Sequence, residues 1–326
     1  MRISRGILGT LTFSLLLVLA IGSGSPAAPG LQRISIATAP TGSVSFVVGA
    51  GLARLISQHL PGVHATAEVT GSFADNMRLI ATKRVELAFA HNDIAYDAWK
   101  GVEGFQGSPV PMRALAPLYD SYAQLVTLEG TGIARLSDLR GKRVSTGPPG
   151  GTVELTSGRI MRAAGVDPDR DIRRERLPIT PAADALRDRK LDALWWVAGL
   201  PVPPILDLAA SPGLRVRLVP LEEVLESLRR QYGNMYARGV ISTVVYPGMD
   251  RPVPTVVVPA VLVVHRDFPE DLAYAITRLL FERRAELEAV HAAVKEISLL
   301  RITGRTPIPF HPGAARYYQE RGVPGF

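Results

Sequence analysis

The sequence predicts an α/β protein made of two α/β lobes joined by crossing strands. Three observations predict it. Short β-like runs alternate with helical patterns along most of the 326 residues, and Gly/Ser/Thr turns separate them. The same rhythm restarts near Tyr122, with no low-complexity linker or charge block between the two units. Hydrophobic residues make up 47% of the chain and charged residues 21%, a balance that builds a core and excludes disorder.

The elements follow in order. Residues 33–38 (RISIAT) read as a strand, and 46–59 carry apolar residues at helical spacing. A strand at 64–70, a helix at 73–82, a strand at 85–90 and a strand at 112–119 complete the first unit. Trp99 falls in an expected loop. The second unit opens with 122–128. It continues with strand 142–146, helix 154–164, strand 173–177, helix 182–189, strand 192–197, strand 214–219 and a charged helix at 221–231. Residues 256–264 (VVVPAVLVV) form a long apolar run that reads as a buried strand despite Pro259. A helical pattern covers 270–291.

The first 27 residues differ from the rest. Arg2 and Arg5 precede an apolar run from Ile7 to Ile21, then small residues with Ser25 and Ala27 at the positions a signal peptidase reads. About 15 apolar residues fall short of the ~20 that span a bilayer, so a cleaved export signal and a periplasmic location are expected. There is no cysteine, which excludes disulfides, thiolate chemistry and anchoring through a lipidated N-terminal Cys. The net charge is +7, or +5 without Arg2 and Arg5. This modest surplus favours anionic ligands by steering. With 6% aromatics and no binding module, nucleic acid is not an expected partner.

Ligands of open α/β folds sit beyond the carboxyl ends of the strands, where helices begin. Three loops qualify. The first, 38–45 (TAPTGSVS), brings Thr41, Gly42, Ser43 and Ser45, with Phe46 beside them. The second, 70–74 (TGSFA), brings Gly71 and Ser72, with Asn76 one turn on. The third, 147–153 (GPPGGTV), brings Gly150, Gly151, Thr152 and Val153. Helix N-termini bind carboxylate or phosphate through backbone N–H groups without a cationic side chain. The same residues also make ordinary N-caps and turns, and the loops alone leave both readings open.

Other residues carry weaker signals. His91, Asn92 and Asp93 follow the third strand at the expected cleft edge and read as ligand or loop-ordering contacts. No GxSxG elbow, paired carboxylates or HExxH accompanies them, so neither catalysis nor a metal site is expected, and no cofactor. Alternation along 192–197 points one of Trp195 and Trp196 toward the cleft and the other into a helix layer, just ahead of Ala198 and Gly199.

Several longer segments resemble the TAXI solute receptors of tripartite ATP-independent periplasmic (TRAP) transporters. They are VTGSFADNMRLIATKRVELAFAHNDIAY at 69–96, MRALAPLY at 112–119, LSDLRGKRVSTGPPG at 136–150 and ADALRDRKLDALWWVAGLPVPPI at 183–205. YPGMDRPVPTVVVPAVLVV at 246–264 and FHPGAARYY at 310–318 complete the likeness, which covers residues 33–322. It implies a class II periplasmic-binding fold, with lobe I at 31–120 and 262–326 and lobe II at 121–261. It also implies a monomer, a small organic anion as ligand (a carboxylate or amino acid) and a TRAP permease as partner. An ABC importer, a periplasmic sensor and an exported α/β enzyme are the rival readings. The chain departs from the family at the site. The usual Tyr-Tyr-Pro is Phe46-Val47-Val48, Ser-Gly-Thr is Gly151-Thr152-Val153, and a Phe-Phe-like pair is Trp195-Trp196. These changes imply a larger or more apolar ligand than a compact dicarboxylate.

Overall fold

The computed structural model describes residues 31–233 and 235–326; the expected export signal at 1–27 lies outside the described residues. The strands are β1 (Gln32–Ala37), β2 (Val63–Glu68), β3 (Leu87–His91), β4 (Met112–Leu128), β5 (Arg143–Ser145), β6 (Arg173–Glu175), β7 (Ala193–Ala198), β8 (Val216–Leu218), β9 (Ala237–Ile241) and β10 (Val253–His265). The helices are α1 (Val44–His59), α2 (Phe73–Ala81), α3 (Asn92–Lys100), α4 (Thr152–Ala163), α5 (Ile179–Arg187), α6 (Pro203–Ala209), α7 (Leu225–Tyr232), α8 (Glu270–Glu282), α9 (Arg284–Glu288) and α10 (Pro312–Glu320). Among the described residues the strands join in one sheet, ordered β2-β1-β3-β10-β4-β7-β5-β6, with β8 beside β4 and β9 beside β10.

Two long strands hold this sheet together. The sequence suggested separate strands at 112–119 and 122–128, but β4 is continuous over 17 residues. At ~3.3 Å per residue it extends about 55 Å. It runs antiparallel to β10, pairing Met112–Pro117 with Val261–His265 and Asp120–Tyr122 with Val257–Pro259. The register shifts between Pro259 and Val261, where proline offers no N–H to the ladder. Around that shift both strands change neighbours. Ala260–Val264 hold β3 while Val253–Val257 hold β9, and Tyr122–Thr127 hold β7. The sheet therefore has a first half around β1–β3 and a second around β5–β7, within one compact unit spanning Leu31–Phe326.

Burial explains which runs became strands. β3 and β7 are buried at every position, so they are covered on both faces and their apolar runs are unbroken. The edge strand β2 alternates exposed and less exposed residues, and the opposite edge β6 is the charged Arg-Arg-Glu, which discourages edge pairing.

The expected loop holding Trp99 is helix α3. Its start carries no side-chain cap, and Asn92, Asp93 and Asp97 are buried beside Ile94, Ala95 and Ala98, so polar residues interrupt the short apolar stripe. Gly101 ends it in the left-handed conformation, φ 67°. Helix α10 was also unforeseen. Its HPGA start has a plain reason: His311 caps the helix, Pro312 fits its first turn, and a Cβ on Gly313 would lie 2.1 Å from the Glu270 carbonyl oxygen of α8.

Candidate functional site

The three Gly/hydroxyl loops end in the N-termini of α1, α2 and α4, and all three N-termini open onto one cavity between the halves of the sheet. The loop after β1 and the end of β3 form one wall. Helix α4 and the end of β7 form the other, and β4 crosses the middle. The cavity has a volume of about 60 Å³.

Of the residues expected at the site, Ser43, Ser45, Gly71, Ser72, His91, Gly151, Thr152, Val153, Trp196, Ala198 and Gly199 line the cavity. The others stand elsewhere. Thr41 and Gly42 are exposed in the turn before α1, and Phe46 lies one position past the lining Ser45 on the turning helix. Gly150 is exposed and faces a neighbouring surface cavity with Glu154. Asn92 lines another cavity with Tyr232, and its amide donates to the Arg305 carbonyl at 2.6 Å. Trp195 is wholly buried in the core, opposite in alternation to Trp196.

Asp93 is also buried away from the cavity. Its carboxylate accepts hydrogen bonds from Thr156 Oγ1 at 2.9 Å and Tyr236 OH at 3.0 Å. One turn further along α3, Asp97 pairs with Arg159 of α4 at 2.7 Å, both almost fully buried. Burial pushes the Asp97 carboxyl up to about 6 against the pull of Arg159, with Asp93 adding to the rise. These polar contacts join α3 of the first half to α4 and Tyr236 of the second.

Asn76 corrects a specific expectation. Its side chain does not face the cavity; Nδ2 donates to the Thr38 carbonyl at 2.6 Å and the Phe89 carbonyl at 2.9 Å. It ties α2 to the ends of β1 and β3 and so holds two site loops together. Asn76→Ala should lower stability by about 1–3 kcal/mol, because two buried carbonyls lose a donor. Urea melts of the ligand-free protein would measure this, and an unchanged midpoint would contradict the assignment.

Two strand residues were not anticipated. Tyr119 and Ser121 of β4 line the cavity and are almost wholly buried. The polar run Tyr-Asp-Ser-Tyr at 119–122, inside an otherwise apolar strand, was the available signal. Tyr119 OH lies 3.1 Å from Ser45 Oγ, and burial raises its pKa, so the phenol keeps its proton. Ala39, Pro40, Val44, Phe73, Pro148 and Val197 complete the walls.

The electrostatics come from backbone, not side chains. No Asp, Glu, Lys or Arg is among the lining residues described. Burial lowers the His91 pKa to about 4, only partly offset by Asp93, so the imidazole is neutral near pH 7. Its ring packs edge-on against Phe73 at 4.7 Å. Ser43 and Ser72 each accept one N–H of their helices, whereas Gly151 brings α4 no capping side chain. Three buried polar atoms on lining residues have no hydrogen-bond partner: Ser121 Oγ, Thr152 Oγ1 and His91 Nδ1. Unmet buried polar groups are costly, and a ligand oxygen is a natural partner for them.

The model of the NMT1-like family matches residues 36–322. Among solved structures, a binding protein component of an ABC phosphonate transporter from Pseudomonas aeruginosa is similar at 15% identity. The match covers 82% of this chain and 80% of the other, with a TM-score of 0.52. The periplasmic aliphatic sulphonate binding protein SsuA from Escherichia coli is similar at 13% identity, over 90% and 94% of the two chains, with a TM-score of 0.48. The phosphonate-component likeness establishes the fold: mixed α/β, of the periplasmic-binding-protein kind that the sequence predicted.

Proposed function

This chain belongs to the NMT1-like family, and from that premise we propose that it is an extracytoplasmic solute-binding receptor that catalyses nothing. It captures a small organic anion between two lobes, 31–120 with 262–326 and 121–261, and hands it to a membrane permease. The first 27 residues act as the export signal, and the receptor works as a monomer.

One observation carries this reading: the N-termini of three helices, of 16, 9 and 12 residues, meet at a cavity with unpartnered buried polar atoms and, among the described residues, no charged lining. Each helix start holds roughly half a positive charge, partly met on α2 and α4 by Asp75 and Glu154 of their own first turns, and together the three starts favour an anion without a salt bridge. The titratable groups on the walls are one neutral imidazole and one protonated phenol, which suit hydrogen bonding better than proton transfer. The neighbour change around Asp120 and Pro259 supplies a hinge for lobe motion.

The TAXI-like segments favour a TRAP permease driven by an ion gradient. An ABC permease is the second reading, favoured by the role of the Pseudomonas protein that shares the fold. Uptake by cells carrying the receptor and its permease separates them, since collapsing the ion gradient stops the first and depleting ATP stops the second. The receptor reading itself is tested by thermal shift. Organic acids at ~100 times their Kd should add about 2.7 kcal/mol of stability. Stabilisation by neutral sugars or cations alone would contradict it.

A further inference from the structure

We infer that the cavity selects an organic acid bearing one negative charge on a compact apolar body, and turns away both amino acids and dicarboxylates. The inference rests on the receptor reading above and narrows it.

The argument is one of missing partners. An amino acid brings an ammonium group, which once desolvated needs a carboxylate beside it. None of the described lining residues supplies one. The acidic groups nearest the helix starts already have partners. Asp75 takes hydrogen bonds from Ser72 and Arg78. Glu154 takes them from the Gly150 N–H, Arg174 and Arg176. Asp93 is held by Thr156 and Tyr236.

A dicarboxylate meets the converse problem. Three helix starts converge on a single space and suit a single anionic head. A second carboxylate would need a Lys or Arg, and none is among the described residues that line the cavity. What remains for the body of the ligand is apolar and aromatic wall: Val44, Phe73, Tyr119, Val153, Trp196 and Val197. Ser121 Oγ, Thr152 Oγ1 and His91 Nδ1 are buried, unpartnered polar atoms of residues that line the cavity.

Isothermal titration of the purified chain with four ligands on a four-carbon skeleton tests this. Butanoate is the monoanion, 2-aminobutanoate adds an ammonium, succinate adds a carboxylate, and butanamide removes the charge. Butanoate should bind saturably, and the other three about 100-fold more weakly or worse, because each leaves a buried charge or donor unmet. Succinate or 2-aminobutanoate binding as tightly as butanoate would overturn the selectivity while leaving the receptor reading intact. Butanamide binding as tightly as butanoate would show that charge is not what the helix starts select, and would overturn the inference too. Failure of all four, and of longer monocarboxylates as well, would end the receptor reading and the inference with it.

Discussion

Replacing Arg159 by Met should destabilise the protein by about 3–5 kcal/mol, because it strands a buried carboxylate. Arg159 and Asp97 meet at 2.7 Å with side chains 3% and 5% exposed, and Arg159 also reaches Tyr236 OH at 3.3 Å. The guanidinium lies over the Tyr232 ring at 4.7 Å, so its removal costs packing as well. The pH dependence has a definite sign. Asp97 already titrates at about 6 in the folded protein, raised first by burial, and losing Arg159 raises it further. A carboxyl with a raised folded pKa takes up protons on folding, so its penalty grows as pH rises through that pKa and is absent well below 4. The variant should therefore be hurt most at pH 8 and recover as the pH falls past 6. The double variant Asp97→Asn/Arg159→Met should regain much of the loss at pH 8. Urea unfolding at pH 5 and pH 8 reads both effects; a loss independent of pH would show that packing, not charge, is what Arg159 supplies.

Thr152→Asp should separate binding from folding. Thr152 is the first residue of α4, follows a glycine N-cap and lines the cavity with an unpartnered hydroxyl. A carboxylate in the first helical turn gains from the dipole, but Thr152 is only 7% exposed, so desolvation of the new charge opposes that gain and the melting temperature should fall modestly rather than rise. The same carboxylate occupies the position proposed for the ligand anion and repels it. Affinity for organic acids should fall by about 100-fold or more, equivalent to roughly 2.7 kcal/mol. Thr152→Val, which removes the hydroxyl and adds no charge, should weaken binding far less. Equal losses in the two variants would mean that the α4 start does not contact the anion.

Much of this was legible in the sequence, for reasons that differ from element to element. The Gly/hydroxyl loops at 38–45, 70–74 and 147–153 stood out because helix starts have a local chemical signature. That signature does not say which hydroxyl turns inward. Ser43 and Ser72 line the cavity while Thr41 sits exposed, a distinction made by turn geometry. Asn76 misled because a polar residue near a site loop resembles a ligand contact, whereas its three-carbonyl environment is assembled by residues 37, 38 and 89. Helix α3 was missed because its inward face carries Asn92, Asp93 and Asp97, whose partners Arg305, Thr156 and Arg159 are distant in the chain. Tyr119 and Ser121 were missed because a strand that crosses between halves looks, locally, like one strand ending and another beginning.

Intrinsic fluorescence tests the central proposal, capture of an organic anion in this cavity, most directly. The three tryptophans occupy distinct settings. Trp196 lines the cavity, Trp195 is fully buried in the core, and Trp99 lies in α3 with the Lys100 ammonium 4.4 Å from its ring. A ligand entering the cavity, and any closure around it, changes the surroundings of Trp196 first. Titration with organic acids should give a saturable change that survives Trp99→Phe and disappears in Trp196→Phe. No saturable response to any organic anion, or a response carried by Trp99 alone, would contradict the account.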